Sequence, residues 1–553
     1  MSISILVADS LHINKKNFAS FFKFVEQIKP KIDFENTQKD WWTLYGNYES
    51  KLDKLYEKID TLSKLPIDAL YKFSMHDISL FLVCRAELLS LVAVLSDWYD
   101  EAYPTDSYSL FLKLYEKNRT ALLQNMAAAW HWLNFWNQKL AESQQYQYCC
   151  VFSGSLIYQR SLIELLKFKP TRVMVMESLF TGNEFFCEER YSPIANRTDI
   201  MHKAVYQSLL DKINSESVYE NERMKAINKM ILMKNKNVQQ PTDSAAFVFK
   251  YKKPVVTIIG QVVNDFSLLE VNGLGISSVQ VYKELITKLV KAGFNVVLKT
   301  HPWEKQKINI KSSLTKEIIQ KFVDGLSVKE REHIKIVGDY SIKKLFEQSE
   351  YVISLNSQGL IEAAFEGFKP IQLGNAFYGK KGFTHDYTFT QLTELISDIK
   401  SGKLNNLLTL PEFDCLEQFL TVLLQKHTIS VFDSGLPLLR KRFELPKTIA
   451  LAEAKKEVPA VSAVATEKVK PVETKKAVNA VVVVDKALEK DTVAVKGNQD
   501  NEENPKLTIL PPEAKTSRQK KWQKFKADPR LFFAQSQYSI LRPLKHFFTS
   551  KQQ

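Results

Sequence analysis

Glycine and proline are scarce in this chain, with 17 and 19 residues among 553. That scarcity excludes a collagen-like or low-complexity chain. The five cysteines form no Cys-x-x-Cys pair and have no metal-ligand spacing; they are Cys84, Cys149, Cys150, Cys187 and Cys415. The pattern predicts buried thiols in a reducing compartment and no metal site.

Long apolar runs are also missing. No stretch reaches the roughly 20 apolar residues that a membrane-spanning helix needs, and the opening MSISILVADS lacks the basic region of a signal peptide. We therefore expect a cytoplasmic protein that at most lies peripherally on the inner membrane. The formal charge of +14 favours an anionic partner without choosing among nucleic acid, membrane and acidic polymer.

The hydrophobic content of 45% is enough for two domains with their own cores. Residues 1–245 are predicted to form a helix-rich first domain, with a long amphipathic pattern at Asp77–Trp98. Strand patterns at Ser4–Val7, Tyr148–Phe152 and Arg172–Met176, with a helix ending at Leu166, predict a Rossmann-like βαβ unit in it.

Residues 246–445 predict a second, doubly wound α/β domain, because strand and helix patterns alternate regularly along them. The predicted strands are Pro254–Ile259, Asn295–Lys299, Ile334–Val337, Tyr351–Ser354 and Pro370–Leu373. The predicted helices are Ser277–Ala292, Ile342–Gln348 and Asn356–Gly367.

Residues 446–517 predict a disordered linker, because the segment from Ile449 to Ser517 contains no aromatic residue and little apolar bulk. Residues 518–553 form a basic, aromatic tail. Its aromatic and cationic side chains suit an anionic membrane interface; they include Trp522, Lys524, Phe525, Arg530 and Phe532. A tail that folds back on the other domains is the alternative, and nucleic acid is not expected as a partner.

Polar residues follow several predicted strands of the second domain. In an open α/β sheet, loops at the carboxyl ends of strands form the ligand site. These residues are Gln261 and Asp265; Lys299, His301 and Pro302; Ser354, Asn356, Ser357, Gly359 and Glu362; and Tyr378, Thr384 and Asp386. Glu177 holds the equivalent place in the first domain. Taken singly, each has a simple structural reading as a turn, a helix cap or a surface residue.

Four ordered motifs carry a resemblance to a known family. They are Gln-x-x-x-Asp at Gln261–Asp265, Lys-x-His-Pro at Lys299–Pro302, a serine-led Gly-x-x-Glu-Ala turn at Ser357–Ala363, and an aromatic segment at Phe377–Asp386. From about Arg172 to Asp386, the chain resembles the capsule polysaccharide β-Kdo transferases of Gram-negative bacteria.

The resemblance implies a GT-B-like fold, in which two Rossmann-like domains face a cleft. It implies CMP-β-Kdo as donor, retention of configuration, and no cofactor besides the donor. By the same resemblance, Asp265 is the nucleophile, Glu177 the acid/base, and His301 the support for the departing CMP phosphate. The other polar residues named above would line the nucleotide-sugar site. A lipid-linked or oligosaccharide acceptor and capsule assembly proteins are the expected partners.

Two departures from the family pattern keep the function open. The family has Glu-Asp-Gly where this chain has Glu177, Ser178 and Leu179, and Lys381 replaces an aromatic residue. One alternative is a capsule glycosyltransferase that uses another nucleotide sugar to extend or modify the polymer. The other is a non-catalytic scaffold for capsule assembly or export.

Overall fold

The apolar strand patterns fold into two mainly parallel sheets, seen in a computed structural model of the chain. The structure describes residues 3–104, 106–142, 145–215, 218–233, 249–269, 276–307, 310 and 312–444. All of them belong to one compact unit. The predicted linker and tail, with the predicted membrane-contacting residues Trp522, Lys524, Phe525, Arg530 and Phe532, lie outside the described residues.

The first half of the chain contributes five strands of a six-stranded sheet and most of the long helices. Its strands are β1 (Ser4–Val7), β2 (Lys31–Phe34), β3 (Ser74–Met75), β4 (Ile78–Ser79), β5 (Tyr148–Phe152), β6 (Arg172–Ser178) and β7 (Glu184–Glu189). Its helices are α1 (Ala19–Ile28), α2 (Leu52–Ser63), α3 (Ile67–Lys72), α4 (Leu80–Val92), α5 (Ser96–Tyr99), α6 (Ser107–Glu142), α7 (Ile157–Leu166), α8 (Lys203–Ser215) and α9 (Tyr219–Ile231). Strands β2, β1, β5 and β6 run parallel, β7 is antiparallel to β6, and β3 and β4 form a separate two-stranded antiparallel sheet.

Helix α4 differs from the amphipathic helix that was predicted. Its side chains are buried on nearly every side, because it lies inside the helical layer against α6 and α7. Its one buried carboxylate, Glu87, accepts hydrogen bonds from the backbone N–H groups of Gly46 at 2.8 Å and Ile157 at 2.6 Å. Glu87 therefore satisfies an otherwise free N–H at the start of α7.

The second half contains the other six-stranded sheet. Its strands are β8 (Val255–Ile259), β9 (Asn295–Lys299), β10 (Ile334–Val337), β11 (Tyr351–Ser354), β12 (Ile371–Gln372) and β13 (His385–Asp386). Its helices are α10 (Phe266–Leu269), α11 (Ser278–Ala292), α12 (Leu314–Asp324), α13 (Val328–Arg331), α14 (Ile342–Phe346), α15 (Gly359–Phe365) and α16 (Leu392–Lys400). The strand order β10-β9-β8-β11-β12-β13 is parallel throughout, as the strand–helix alternation predicts.

Helix α11 shows how local sequence sets these elements. The Ser277 hydroxyl accepts a hydrogen bond from the backbone N–H of Gln280 at 3.2 Å and caps its first turn. At its other end, Gly293 adopts φ +98°, a left-handed conformation that favours glycine. The apolar face between these two ends packs into the core of the second half.

The chain returns to the first sheet after the second half. Its last described elements are α17 (Leu410–Thr421), β14 (Ile429–Ser430) and α18 (Leu436–Glu444). Strand β14 pairs antiparallel with β7, with Ile429 opposite Phe185. Helix α18 packs against α1. These residues were predicted to belong to the second segment, 246–445, whereas β14 completes the first sheet in space.

A buried ionic cluster fixes this return. The Glu188 carboxylate interacts with the His427 ring at 2.7 Å and accepts a hydrogen bond from Arg190, also at 2.7 Å. Burial raises the pKa of the Glu188 carboxyl, but His427 and Arg190 outweigh that effect and hold it at about 2. Glu188 is therefore ionised inside the protein, where an unpaired charge would be costly.

Replacing Glu188 by alanine should lower the free energy of unfolding by about 3–5 kcal/mol, because it removes one partner of a buried pair. Urea denaturation followed by circular dichroism measures this loss. The matched control is Glu366→Ala, which removes an exposed ion pair with Lys343 and should cost at most about 1 kcal/mol. Equal effects of the two substitutions would contradict a stabilising role for the buried cluster.

Candidate active site

A cleft of about 480 Å³ is lined by loops from the carboxyl ends of both sheets. In the second sheet, Ile259 lies level with Lys299 on one side and Ser354 on the other, so the loops after these strands share one edge. Ten of the predicted site residues line this cleft: Glu177, Gln261, Asp265, Lys299, His301, Pro302, Asn356, Ser357, Gly359 and Glu362.

The close approach of β8 and β9 at this edge requires a glycine. The Gly260 N–H donates to the Lys299 carbonyl oxygen at 2.8 Å. A β-carbon at position 260 would lie 2.9 Å from that same oxygen, a distance that real side chains do not tolerate. Gly260 therefore lets the loop carrying Asp265 leave the sheet directly beside Lys299.

Asp265 comes from the second half and directly precedes the short helix α10. Its Oδ1 accepts a hydrogen bond from the backbone N–H of Ser267 at 2.9 Å, which is the cap role expected of an isolated aspartate. Its Oδ2 accepts no hydrogen bond from the part of the chain that the structure describes. One carboxylate oxygen therefore positions the loop while the other is available to a ligand.

Glu177 comes from the first half, near the end of β6. Burial raises the pKa of the Glu177 carboxyl to about 7, and the negative charge of Asp265 acts in the same direction. Its Oε2 is buried and, within the described ranges, has no hydrogen-bond partner. Glu177 can therefore gain or lose a proton near neutral pH, as a general acid/base requires.

Lys299 and Glu362 also line the cleft. Burial lowers the pKa of Lys299 to about 8, although Asp339 and Glu362 oppose the shift. The Lys299 ammonium donates to the Gly338 carbonyl oxygen at 3.3 Å. Burial raises the pKa of Glu362, in the first turn of α15, to about 7. An ammonium and a carboxylate here can take a phosphate and a hydroxyl group respectively.

His301 caps the 3-10 turn at Pro302–Gln306. Its Nδ1 accepts a hydrogen bond from the backbone N–H of Trp303 at 3.2 Å. Burial lowers the pKa of His301 to about 4, with the Asp265 charge opposing and the nearby lysines assisting. The ring is therefore neutral, with its proton on Nε2. The ring is neutral because it is largely withdrawn from water.

Lys307 also lines the cleft, although it is not among the residues predicted from the sequence. Its ammonium donates to the side-chain oxygen of Asn264 at 2.5 Å and to the Asn264 backbone oxygen at 3.2 Å. Burial lowers the pKa of Lys307 to about 8, and the charges of Asp265 and Glu304 oppose the shift. Lys307 directly follows the Pro302–Gln306 turn. Its sequence position close to the Lys-x-His-Pro motif is the feature that could have predicted it as a site residue.

Two residues that were predicted to contact the nucleotide sugar, Gln261 and Asn356, form hydrogen bonds within the protein. The side chains of Gln261 and Asn356 hydrogen-bond to each other, and Asn356 also accepts from Ser267 at 3.2 Å. The backbone N–H of Asn356 donates to the Gln261 side chain at 3.0 Å. Both residues are buried and hold the loops after β8 and β11 together.

Four predicted residues lie outside the cleft lining: Ser354, Tyr378, Thr384 and Asp386. Ser354 donates to the Ile259 carbonyl oxygen at 2.7 Å within the sheet. Tyr378 donates to the Ser357 carbonyl oxygen at 2.7 Å and so supports a loop that does line the cleft. Asp386 accepts from Thr384 at 3.0 Å and from the backbone N–H of Lys380, also at 3.0 Å.

The first half reaches across the cleft to the loop that directly precedes the helix carrying Glu362. The Asn196 side chain donates to the Asn356 carbonyl oxygen at 2.7 Å. The backbone N–H of Phe180 donates to the Gln358 side chain at 3.3 Å. These contacts, which the sequence analysis missed, fix the position of β6 relative to α15.

Within the described ranges, no cluster of three or more His, Cys, Asp or Glu side chains is arranged to hold a metal ion. Among the same residues, no helix combines the length and the apolar character needed to cross a bilayer.

Residues 187–397 match the model of a family described as "Capsule polysaccharide biosynthesis protein". This match confirms the capsule polysaccharide biosynthesis part of the resemblance predicted from the sequence. It contains Asp265, Lys299, His301 and Glu362, whereas Glu177 lies before its first residue. None of the curated proteins compared with the chain matches it.

Solved structures with similarity to the chain include two from Thermosulfurimonas dismutans. KpsC, a beta Kdo 2,4 transferase, is 14% identical, with 54% of this chain and 87% of that chain covered at a TM-score of 0.31. KpsC, a beta Kdo 2,7 transferase, is 15% identical, with 56% and 87% covered at a TM-score of 0.33.

A third similar structure is a UDP-forming trehalose-phosphate synthase from Burkholderia xenovorans. It is 10% identical, with 83% of this chain and 100% of that chain covered at a TM-score of 0.28. The GT-B-like fold predicted from the sequence is confirmed by the architecture itself, since two Rossmann-like sheets contribute their strand ends to one cleft.

Proposed function

We propose that the protein is a glycosyltransferase of capsule polysaccharide biosynthesis that transfers β-Kdo from CMP-β-Kdo with retention of configuration. The proposed acceptor is a lipid-linked or oligosaccharide glycan. One observation carries the proposal: carboxylates from different sheets, Asp265 and Glu177, line one cleft together with the ammonium groups of Lys299 and Lys307. No cofactor besides the donor is needed for this chemistry.

In the first step, Asp265 Oδ2 attacks the anomeric carbon of the donor. The bond from that carbon to the phosphate oxygen breaks, and CMP departs with the electron pair. The product is a glycosyl ester on Asp265. Lys299 and the Nε2–H of His301 stabilise the charge on the leaving phosphate. Retention through such an ester takes two displacements, each of which inverts the anomeric carbon.

In the second step, an acceptor hydroxyl attacks the anomeric carbon and Glu177 takes its proton. The ester bond breaks and returns Asp265 to its carboxylate form. Esterification removes the Asp265 charge that helps to raise the pKa of Glu177. The ionised form of Glu177 is therefore favoured at the step in which a base is needed.

Thermal unfolding with CMP, UDP and GDP tests the donor. CMP at about 100 times its Kd should stabilise the native state by about 2.7 kcal/mol, and UDP and GDP should stabilise it less. Lys299→Met should remove the CMP effect, because it deletes the cleft ammonium assigned to the phosphate. Lys321→Met, which changes an exposed residue of α12, is the matched control.

Each other outcome has a definite meaning. Preference for UDP or GDP would overturn the CMP-Kdo assignment and favour a glycosyltransferase that uses another nucleotide sugar. Failure of all three nucleotides to stabilise the protein would favour the non-catalytic scaffold. An unchanged CMP effect in Lys299→Met would place the phosphate elsewhere in the cleft.

A further inference from the structure

The positive charge of the Lys307 ammonium is not neutralised by an ion pair within the described residues. Its ammonium donates to the two oxygens of Asn264, both of which are neutral. Within the described residues it forms no ion pair. An uncharged donor would satisfy the same two oxygens, whereas withdrawing an ammonium from water is costly. The charge therefore points to an anionic ligand.

The neighbouring carboxylates do not supply that anion. Glu304 is buried, and its two oxygens already accept from the backbone N–H of Val263 and from both the N–H and hydroxyl of Thr315. Asp265 acts on Lys307 through its charge but forms no hydrogen bond with it within the described part of the chain. The third N–H of the ammonium is left for a molecule bound in the cleft.

Lys299 and Lys307 have different surroundings in the same cleft. The charges of Asp339 and Glu362 act on the Lys299 ammonium, and Glu362 lies in α15. The charges of Asp265 and Glu304 act on the Lys307 ammonium, and Asp265 directly precedes α10. The two ammonium groups are therefore suited to two separate anionic groups of one ligand, and Lys307 is the one associated with the proposed nucleophile.

The proposed donor sugar has an anionic group at that point. Kdo is an acidic sugar whose anomeric carbon bears a carboxylate as well as the bond to phosphate. We propose that Lys307 holds this carboxylate while Lys299 holds the nucleotide phosphate, which makes Lys307 a specificity-determining residue for acidic 2-keto sugars. This inference rests on the proposed function and extends it, because neutral hexoses lack a carboxylate at the anomeric carbon.

Calorimetric titration with CMP and with CMP-Kdo tests the assignment. The Asp265→Asn background prevents consumption of the donor. Lys307→Met should weaken CMP-Kdo binding about 10- to 100-fold, as expected for a lost charge-assisted hydrogen bond, and should change CMP binding less than about threefold. Lys299→Met should weaken both ligands. Lys305→Met changes an exposed lysine two residues away and should change neither.

The results separate this inference from the proposed function. If Lys307→Met weakens CMP as much as CMP-Kdo, or weakens neither, the carboxylate assignment is wrong while the CMP-Kdo donor stands. If the parent protein binds neither ligand, the donor assignment itself fails. Retained CMP binding also shows that the variant is folded. Should the methionine variant unfold, Lys307→Gln retains a donor for Asn264 and must show the same selective loss.

Discussion

Replacing Asp265 by asparagine is expected to lower the rate of sugar transfer by about four orders of magnitude while leaving CMP binding intact. The amide preserves the size of the side chain and an oxygen for the Ser267 N–H, but it is a poor nucleophile. Removing one residue of a catalytic unit lowers kcat by about 10⁴- to 10⁶-fold. The rate of transfer from CMP-Kdo to a glycan acceptor is measured from the CMP that is released. Calorimetry gives the affinity for CMP.

The control for this substitution is Asp324→Asn, at the exposed end of α12. It should retain the parent rate. A fall in transfer of less than about tenfold for Asp265→Asn would show that another group attacks the anomeric carbon. A parallel loss of CMP binding would instead assign Asp265 to the positioning of the loop through its contact with Ser267.

Replacing Glu177 by glutamine is expected to trap the glycosyl ester on Asp265 and to lower transfer by about 10²- to 10⁴-fold. The amide cannot remove the proton of the acceptor, whereas the first displacement does not depend on it. Intact-protein mass spectrometry after mixing with donor should show one added sugar, and peptide mapping should place it on Asp265. Glu366→Gln, on the exposed end of α15, should show no adduct and a normal rate.

The pH dependence of the transfer rate is a second test of Glu177 as the general base. A general base must be ionised, so the rate against acceptor should rise with pH and then level off. The raised pKa of about 7 belongs to the cleft with Asp265 charged. The midpoint measured in the glycosylated state should therefore lie at or below about 7. Persistence of the same acidic limb in Glu177→Gln would assign the proton transfer to another residue.

The strands that form the cleft were predictable because their signals are local. Asn295–Lys299, Ile334–Val337 and Tyr351–Ser354 are short, mostly apolar runs bounded by polar residues, and the structure confirms all three strands. In a parallel sheet, the residues that follow such strands gather at one edge. The proximity of Asp265, Lys299 and His301 follows from this geometry.

Other parts of the fold depend on contacts that no local pattern reveals. Strand β7 begins and ends with charged residues, and its buried Glu188 is compensated by His427, 239 positions away. Strand β14 has only two residues. Likewise, the hydrogen bond between Gln261 and Asn356 joins side chains that are 95 positions apart in the sequence. Sequence can place these residues at a strand end, but it cannot tell which partner each one will find.

The return of the chain to the first sheet means that the first half is a discontinuous domain with the second half inserted into it. A fragment ending at residue 245 would lack β14 and leave the edge of β7 unpaired, an arrangement that invites aggregation. It would also uncover the apolar surface against which Leu439 and Phe443 pack. Dissection of the protein should therefore fuse residues 3–233 directly to 410–444, so that the inserted half is excised and the first half keeps both of its polypeptide segments.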